Sequence, residues 1–414
     1  MEKSQRNLFG LLIKANYRIR RIFSNVILFS PSKQLMKRIG LIMAVFLFYL
    51  YRRSKKVKPK LICKRTEFNL NLIEWLSPLI KKYKPTFFLP TAMMQMTVSE
   101  FMPIKLSVFE KQPLPLPDGG EMVLEWFPTN FTDFDPVTPI VVFNLGVVGF
   151  TDVAYCQALC QIIKQRNWRM VVMNRRGFGI SDLKSPIFIQ KNESLDLGYI
   201  LKKIKELFPR ANIYLLGVSA GANYSTKYMG QVGKDTPVKA FVSVSNPFNI
   251  GRISFNMKFG FKVKLLSKFI ANSIKQFYKK HYNNKHFLHL LKESKLDMNK
   301  LENELKHKKT CWKVDKYLTS KLGGFDSVYD YYHNIASEHL IHNIKVPTLF
   351  LNNSEDPICV KEMIPVEKIY ANDNTMLLFM KRGGHIEYMS GWGMEWWGYE
   401  MAIRYFEFFE ADTN

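Results

Sequence analysis

The chain has 414 residues, 47% hydrophobic and 14% aromatic, which is enough for a large core and excludes general disorder. Its formal net charge of +25, from 60 Lys and Arg against 35 Asp and Glu, favours an anionic partner; without zinc-finger spacing, an RRM signature or a basic zipper, nucleic acid is not expected and an anionic lipid surface is. The five cysteines (Cys63, Cys156, Cys160, Cys311, Cys359) are scattered with no C-x-x-C pair, so neither a disulfide framework nor a zinc site is implied.

Residues 39–51 read IGLIMAVFLFYLY without a charge, between Lys37-Arg38 and Arg52-Arg53-Ser54-Lys55-Lys56. At about 1.5 Å per residue the run is short for a hydrocarbon core of about 30 Å. Leu35 and Met36 extend it if Lys37 and Arg38 snorkel. A buried helix of a soluble protein is the competing reading, but dense basic flanks suit a headgroup zone better. No small-residue cleavage site follows, so a removable signal peptide is not expected. The expectation is a membrane anchor near residues 36–51, spanning the bilayer or lying in its interface. Its orientation is open because both flanks are basic. Upstream, LLIKANYRIRRIFSNVILF (residues 11–29) reads as a basic amphipathic segment suited to a membrane surface. Residues 1–58 thus form a basic N-terminal region, and 59–111 a junction that is helical in part.

From residue 112 to 410 the pattern is regular. LPDGGEMVLEWF holds a turn and a strand over 121–127, followed by a polar loop over 128–138. PIVVFNLG is an apolar strand ending in glycine. A helical stretch with Ala154, Ala158 and Leu159 leads to the strand RMVVMN (169–174). IYLLG, KAFVSVSNP, PTLFLNN and TMLLFMKRGGH supply further strands. Short apolar runs alternating with helical patterns predict a mostly parallel sheet covered by helices on both faces. Between Pro247 and Pro347 the rhythm stops, and phenylalanines mix with lysines at helical spacing. This insert, about residues 248–345, is expected to be a helical lid above the sheet, with helices packed on the sheet flank as the alternative.

The chemistry concentrates at strand ends. IYLLGVSAGANYS places Ser219 between Gly217 and Gly221, after an apolar strand and before Tyr224, Tyr228 and Met229 at helical spacing. Strand, tight turn and helix make this G-x-S-x-G a nucleophile elbow, in which a Cβ at either glycine would clash with neighbouring backbone. A serine hydroxyl needs an imidazole to take its proton and a carboxylate to orient that imidazole. Of eight histidines, only His385 follows a strand and a glycine pair; the other seven sit within the insert. SEDPI offers Asp356 as the acid, followed by Pro357 and an apolar residue, with Glu355 in reserve. Two backbone N–H groups would complete an oxyanion hole. One is that of Ala220, and the other that of Val147 in LGVVG, where Gly146 and Gly149 bend the backbone. The set predicts an α/β-hydrolase fold using a Ser219-His385-Asp356 triad, with no metal and no cofactor.

These residues carry a family resemblance. LPDGGEMVLEWF, LGVVG, NRRGFG, GVSAGANYSTKYMGQVGKDTPVKA, FDSVYDYYHNIAS, VPTLFLNNSEDPI and RGGHIEYMSG are similar, in this order, to the eukaryotic membrane-anchored α/β-hydrolase-domain proteins of subgroups one, two and three. The similarity runs from about residue 59 to 409. It implies a single N-terminal anchor and a serine hydrolase cleaving monoacylglycerols or phospholipids. The chain departs from the family at Leu145, where Pro or His is frequent, and at Glu387, where Gly is usual. A carboxylate beside His385 would raise the imidazole pKa or narrow the pocket. No Asp stands five residues after His385, so an H-x-x-x-x-D acyltransferase pattern is not supported. The alternatives to a membrane-bound lipid esterase are a soluble esterase for small esters and a non-catalytic lipid-binding protein on the same fold.

Overall fold

A computed structural model describes residues 33–54, 58–147, 149–187, 189–256, 261–307 and 309–411 of the chain. The amphipathic segment at 11–29 and Lys258, the start of the basic stretch in the insert, lie outside the described residues. The first described element is helix α1 (Lys33–Ser54), longer at both ends than the uncharged run. It is long and apolar enough to cross a membrane over Gln34–Arg52, with a mean hydropathy of 1.4. Helix α1 and the body of the protein are separate compact units.

The body is built on a nine-stranded sheet in the order β1-β9-β8-β7-β6-β4-β5-β3-β2. The strands are β1 (Lys60–Ile62), β2 (Glu110–Pro115), β3 (Glu121–Phe127), β4 (Ile140–Asn144), β5 (Arg169–Asn174), β6 (Ile213–Val218), β7 (Val238–Val244), β8 (Thr348–Asn353) and β9 (Thr375–Met380). The six central strands are parallel. Strands β1, β3 and β2 join antiparallel at the two sides. The helices are α2 (Glu67–Lys82), α3 (Ala92–Phe101), α4 (Ala154–Arg166), α5 (Ile189–Leu207) and α6 (Ala220–Val232), then α7 (Ile250–Asn256), α8 (Phe261–Lys280), α9 (Lys285–Glu293), α10 (Met298–His307), α11 (Val328–Ile335), α12 (Val366–Ala371) and α13 (Trp397–Ala411).

Every residue of β4, β5 and β6 is buried, which requires helices on both faces. The two-residue repeat of the strand deals side chains to two cores. Val141, Phe143, Tyr214 and Leu216 pack with residues of α2, α4 and α13, such as Leu76, Leu159 and Phe406. Ile140, Val142, Ile213 and Leu215 pack with residues of α5 and α6, such as Ile200 and Met229. Fully burying one such aliphatic side chain contributes about 1.5–3 kcal/mol, so the sheet centre is the most strongly stabilised part of the body.

The chain runs β4 to β5 on one side and then crosses to β6 on the other, so the strand order reverses between β4 and β6. The carboxyl ends of the strands at such a reversal form a natural crevice. The loops after β4 and β6 meet there.

Within the insert two packings coexist. Residues of α7 to α10 and of the segment Cys311–Leu322, which carries a π turn at Asp315–Thr319, form a third core with Leu183, Cys359 and Met363 from sheet-end loops. Helix α11 instead joins Ala220 and Tyr224 of α6 through Val328, Tyr331, Tyr332 and Ile335. The junction holds helices α2 and α3 and the short strand β1, and β2 begins at its end. Helix α2 lies against α13: the Trp75 indole N–H donates to the Arg404 carbonyl at 2.8 Å, and the Arg404 guanidinium covers the Trp75 ring at 3.5 Å.

Candidate active site

Ser219 has φ 52° and ψ −122°, a left-handed conformation that costs a non-glycine residue energy and is held by its surroundings. Its N–H donates to the Val244 carbonyl at 2.9 Å. The flanking glycines explain how the turn fits. A Cβ on Gly217 would lie 2.8 Å from the Ala222 Cα, and one on Gly221 would overlap the carbonyl oxygens of Asn144 and Leu145. Strand β6 and helix α6 thus approach each other and β4 only because these positions lack side chains.

The loop after β9 brings His385 over this turn. His385 Nε2 lies 2.7 Å from Ser219 Oγ, and His385 Nδ1 lies 2.8 Å from Asp356 Oδ2. The other carboxylate oxygen, Asp356 Oδ1, accepts the N–H groups of Ile358 at 2.8 Å and Cys359 at 2.9 Å. Asp356 and His385 are both buried. Burial disfavours the imidazolium, but the charge and hydrogen bond of Asp356, joined by the charge of Glu387, outweigh it and raise the His385 pKa. Glu355, the reserve acid, is directed elsewhere, 3.9 Å from the Arg382 guanidinium. A hydroxyl, an imidazole and a carboxylate in this relay can move a proton off the serine as it attacks a carbonyl.

The loop after β4 faces the serine. A Cβ on Gly146 would be 3.5 Å from the Ser219 Cβ. Neither the Val147 nor the Ala220 N–H has an acceptor among the described residues, and both residues line the same cavity as Ser219 and His385. Asp356, Cys359 and His385 also present three metal-ligand atoms within 4.8 Å of one another. These atoms already have partners: the Asp356 carboxylate as above, and Cys359 Sγ at 3.1 Å from the Ser245 carbonyl.

A family model of the alpha/beta hydrolase fold matches residues 139–391. The chain belongs to the α/β-hydrolase fold family. Within it the chain is an α/β-hydrolase-domain protein of the ABHD type, as the resemblance implied. It is 29% identical over 301 residues to an abhydrolase domain-containing protein of Dictyostelium discoideum, covering 72% of this chain and 73% of that one. It is 25% identical over 357 residues to phospholipase ABHD3 of Bos taurus, covering 85% and 84%. It is 26% identical over 285 residues to a monoacylglycerol lipase of Saccharomyces cerevisiae, covering 68% and 61%.

The cavity of this hydrolase has a volume of about 690 Å³, within the range of small-ligand sites. The sheet-end loops form its floor. Ile253, Ile270 and Ile274 of α7 and α8 line it from the insert, and Phe150 and Met96 line it from elsewhere. Among the polar groups that interrupt these apolar walls is the carboxyl of Asp315. Asp315, in the π turn, has its carboxyl pushed up to about 6 by burial and accepts a hydrogen bond from the Tyr332 hydroxyl at 2.7 Å. FDSVYDYY therefore has a physical role: Ser327 caps α11, Tyr331 lines the cavity, and Tyr332 holds Asp315.

Glu387 does more than the sequence reading allowed. Its carboxylate accepts the backbone N–H groups of His385 at 3.0 Å and Ile386 at 3.1 Å, and the Ser99 hydroxyl of α3 at 3.3 Å. It ties down the loop that carries the histidine, while burial raises its own pKa. Ser245 and Asn353 hold the same loop, with Ser245 donating to the His385 carbonyl and Asn353 to that of Gly384. These supports have no sequence motif. They emerge only when the ends of β7, β8 and β9 are brought together.

Proposed function

We propose that this carboxylic ester hydrolase cleaves lipid esters, monoacylglycerols or phospholipids, at a membrane. The observation that carries the proposal is the Ser219-His385-Asp356 relay at 2.7 and 2.8 Å, opening into a mainly apolar cavity. Ser219 Oγ attacks the acyl carbonyl as His385 Nε2 takes its proton. The Val147 and Ala220 N–H groups stabilise the oxyanion that develops. His385 then gives the proton to the leaving alcohol, and an acyl-enzyme remains on Ser219. Water, deprotonated by the same imidazole, releases the acid and restores the serine.

Similarity to the bovine phospholipase and the yeast monoacylglycerol lipase supports a lipid substrate. A cavity walled mainly by apolar side chains, isoleucines among them, with carboxyls at Glu100, Asp315 and Glu387, suits an acyl chain with a polar part. Helix α1 supports a membrane location: only 6% of its apolar window is buried, unlike the core helix of a soluble protein. The dense basic residues at both ends of that window suit anionic headgroups. The position of α7 and α8 along the cavity supports a lid role for the insert.

The test is fatty-acid release by the purified full-length protein from monoacylglycerol and phospholipid in mixed micelles, wild type against Ser219→Ala. Release from at least one lipid class by wild type alone is expected. Equal release by both proteins, or release from short water-soluble esters only, would contradict the proposal.

A further inference from the structure

The motif NRRGFG leaves two adjacent arginines just beyond β5, and the structure gives them different tasks. Arg176 is saturated by structural partners. It lies 2.5 Å from Asp196 and 2.6 Å from Asp118 and donates to Ser185 at 3.0 Å, tying α5 to the turn between β2 and β3. Arg175 points to the active-site loop instead. Its Nη2 donates to the carbonyl of Gly146 and, at 3.4 Å, to that of Val147. Its Nη1 donates to Glu193 of α5 at 2.9 Å. Arg175 and Glu193 are both buried, and the guanidinium also lies over the rings of Phe178 at 4.9 Å and Tyr224 at 5.7 Å.

The sheet order gives this contact its meaning. Strand β4 lies between β5 and β6, so the loop after β4 is flanked by Arg175 on one side and Ser219 on the other. In a trans peptide the C=O and the following N–H point in opposite directions. Holding the Gly146 carbonyl toward Arg175 therefore turns the Val147 N–H away from Arg175, toward the serine side. Gly146 is close to Ser219 on that side. A loop containing Gly146 and Gly149 has little conformational preference of its own, so an external hold is needed to keep one peptide orientation. A planar guanidinium with five N–H donors can grip two carbonyls and a carboxylate at once.

We propose that Arg175, anchored by Glu193, is a positioning residue that presets the Val147 N–H as an oxyanion donor. Its effect is on the transition state and not on substrate binding. The inference rests on the triad reading above, because an oxyanion hole matters only if Ser219 attacks.

The experiment compares Arg175→Met, Arg175→Lys and Glu193→Gln with wild type on one chromogenic ester. It also measures inhibition by a trifluoromethyl ketone, which must form an oxyanion on the enzyme, and by a non-reactive ketone of the same chain. Removing one oxyanion donor typically costs about 10²–10³ in kcat. Arg175→Met is expected to lose about 10² in kcat with KM within about threefold. It should lose a similar factor in trifluoromethyl ketone affinity and leave binding of the non-reactive ketone unchanged. Arg175→Lys, which keeps the charge and not the fork, should lie between Met and wild type, and Glu193→Gln should lose less than Met. If Arg175→Met does not fold, the same comparison is read from Arg175→Lys: a selective loss of trifluoromethyl ketone affinity supports the proposal and equal losses for both ketones overturn it. Unchanged kcat in folded Arg175→Met, or a loss in KM alone, also overturns it. Ser219→Ala separates the two levels. If that variant is dead while Arg175→Met is fully active, only the clamp fails; if it remains active, the triad reading fails.

Discussion

Replacing Asp356 by asparagine changes one atom and should nearly silence the enzyme. Asp356 Oδ1 accepts two backbone N–H groups, at 2.8 and 2.9 Å. An asparagine must keep its oxygen there, because an NH₂ facing two N–H donors would forfeit both hydrogen bonds. Its NH₂ is then directed at His385 Nδ1, where the carboxylate oxygen stood at 2.8 Å. A donor in that place selects the imidazole tautomer with a bare Nδ1 and a proton on Nε2. Nε2 then meets Ser219 Oγ with a hydrogen of its own and cannot take the serine proton. Loss of the correct tautomer in such a triad costs on the order of 10³–10⁴ in kcat, about 4–5.5 kcal/mol of barrier. The assay is kcat on a chromogenic short-chain ester, with circular dichroism to confirm the fold. Glu355→Gln is the control: it faces Arg382, 3.9 Å away, and not His385, so kcat should stay within about threefold of wild type. A folded Asp356→Asn variant keeping more than a tenth of wild-type kcat would refute the tautomer argument, and a larger loss in Glu355→Gln would move the acid to Glu355.

Three further outcomes are expected. The attacking form needs neutral His385, whose pKa is raised, so the acid limb of kcat/KM should have its midpoint above the ordinary imidazole value of about 6.5. Activity should fall as pH drops through that midpoint, and Glu387→Gln, which removes a negative charge, should move the limb to lower pH; a shift to higher pH would contradict the electrostatics. Gly221→Ala forces a Cβ into two backbone carbonyl oxygens, and overpacking of this kind costs about 3 kcal/mol, so Tm should drop by several degrees; an unchanged Tm would mean that the elbow can relax. The full chain should sediment with membranes and resist carbonate extraction, and deletion of residues 1–58 should release a folded domain. A soluble full-length protein would favour the reading as a soluble esterase.

The candidate triad was legible in the sequence because each member sits where a strand ends. Such ends are marked by apolar runs that stop at glycine, and Ser219 and His385 needed no more than that. The parallel strands were legible from their apolar runs: β5 and β8 carry unbroken ones over residues 170–173 and 349–351. Strand β2 was not, because Pro113 and Pro115 read as loop; prolines are tolerated there because the strand is at the sheet edge. Strand β1, three residues long, has no period to detect. The extent of α1 was underestimated because its charged ends do not look apolar, although they continue the helix. Arg175, Glu193 and Glu387 were not legible, because their contacts join separate segments of the chain, such as Glu387 with Ser99. Those contacts depend on strand order, which no local pattern encodes.

The central claim is that Ser219 is the nucleophile. The most direct measurement is mass spectrometry of the full-length protein after reaction with a fluorophosphonate. The account predicts a single adduct on the peptide carrying Ser219, abolished in a folded Ser219→Ala variant. An adduct on another serine in that variant, or ester hydrolysis that survives it, would contradict the account.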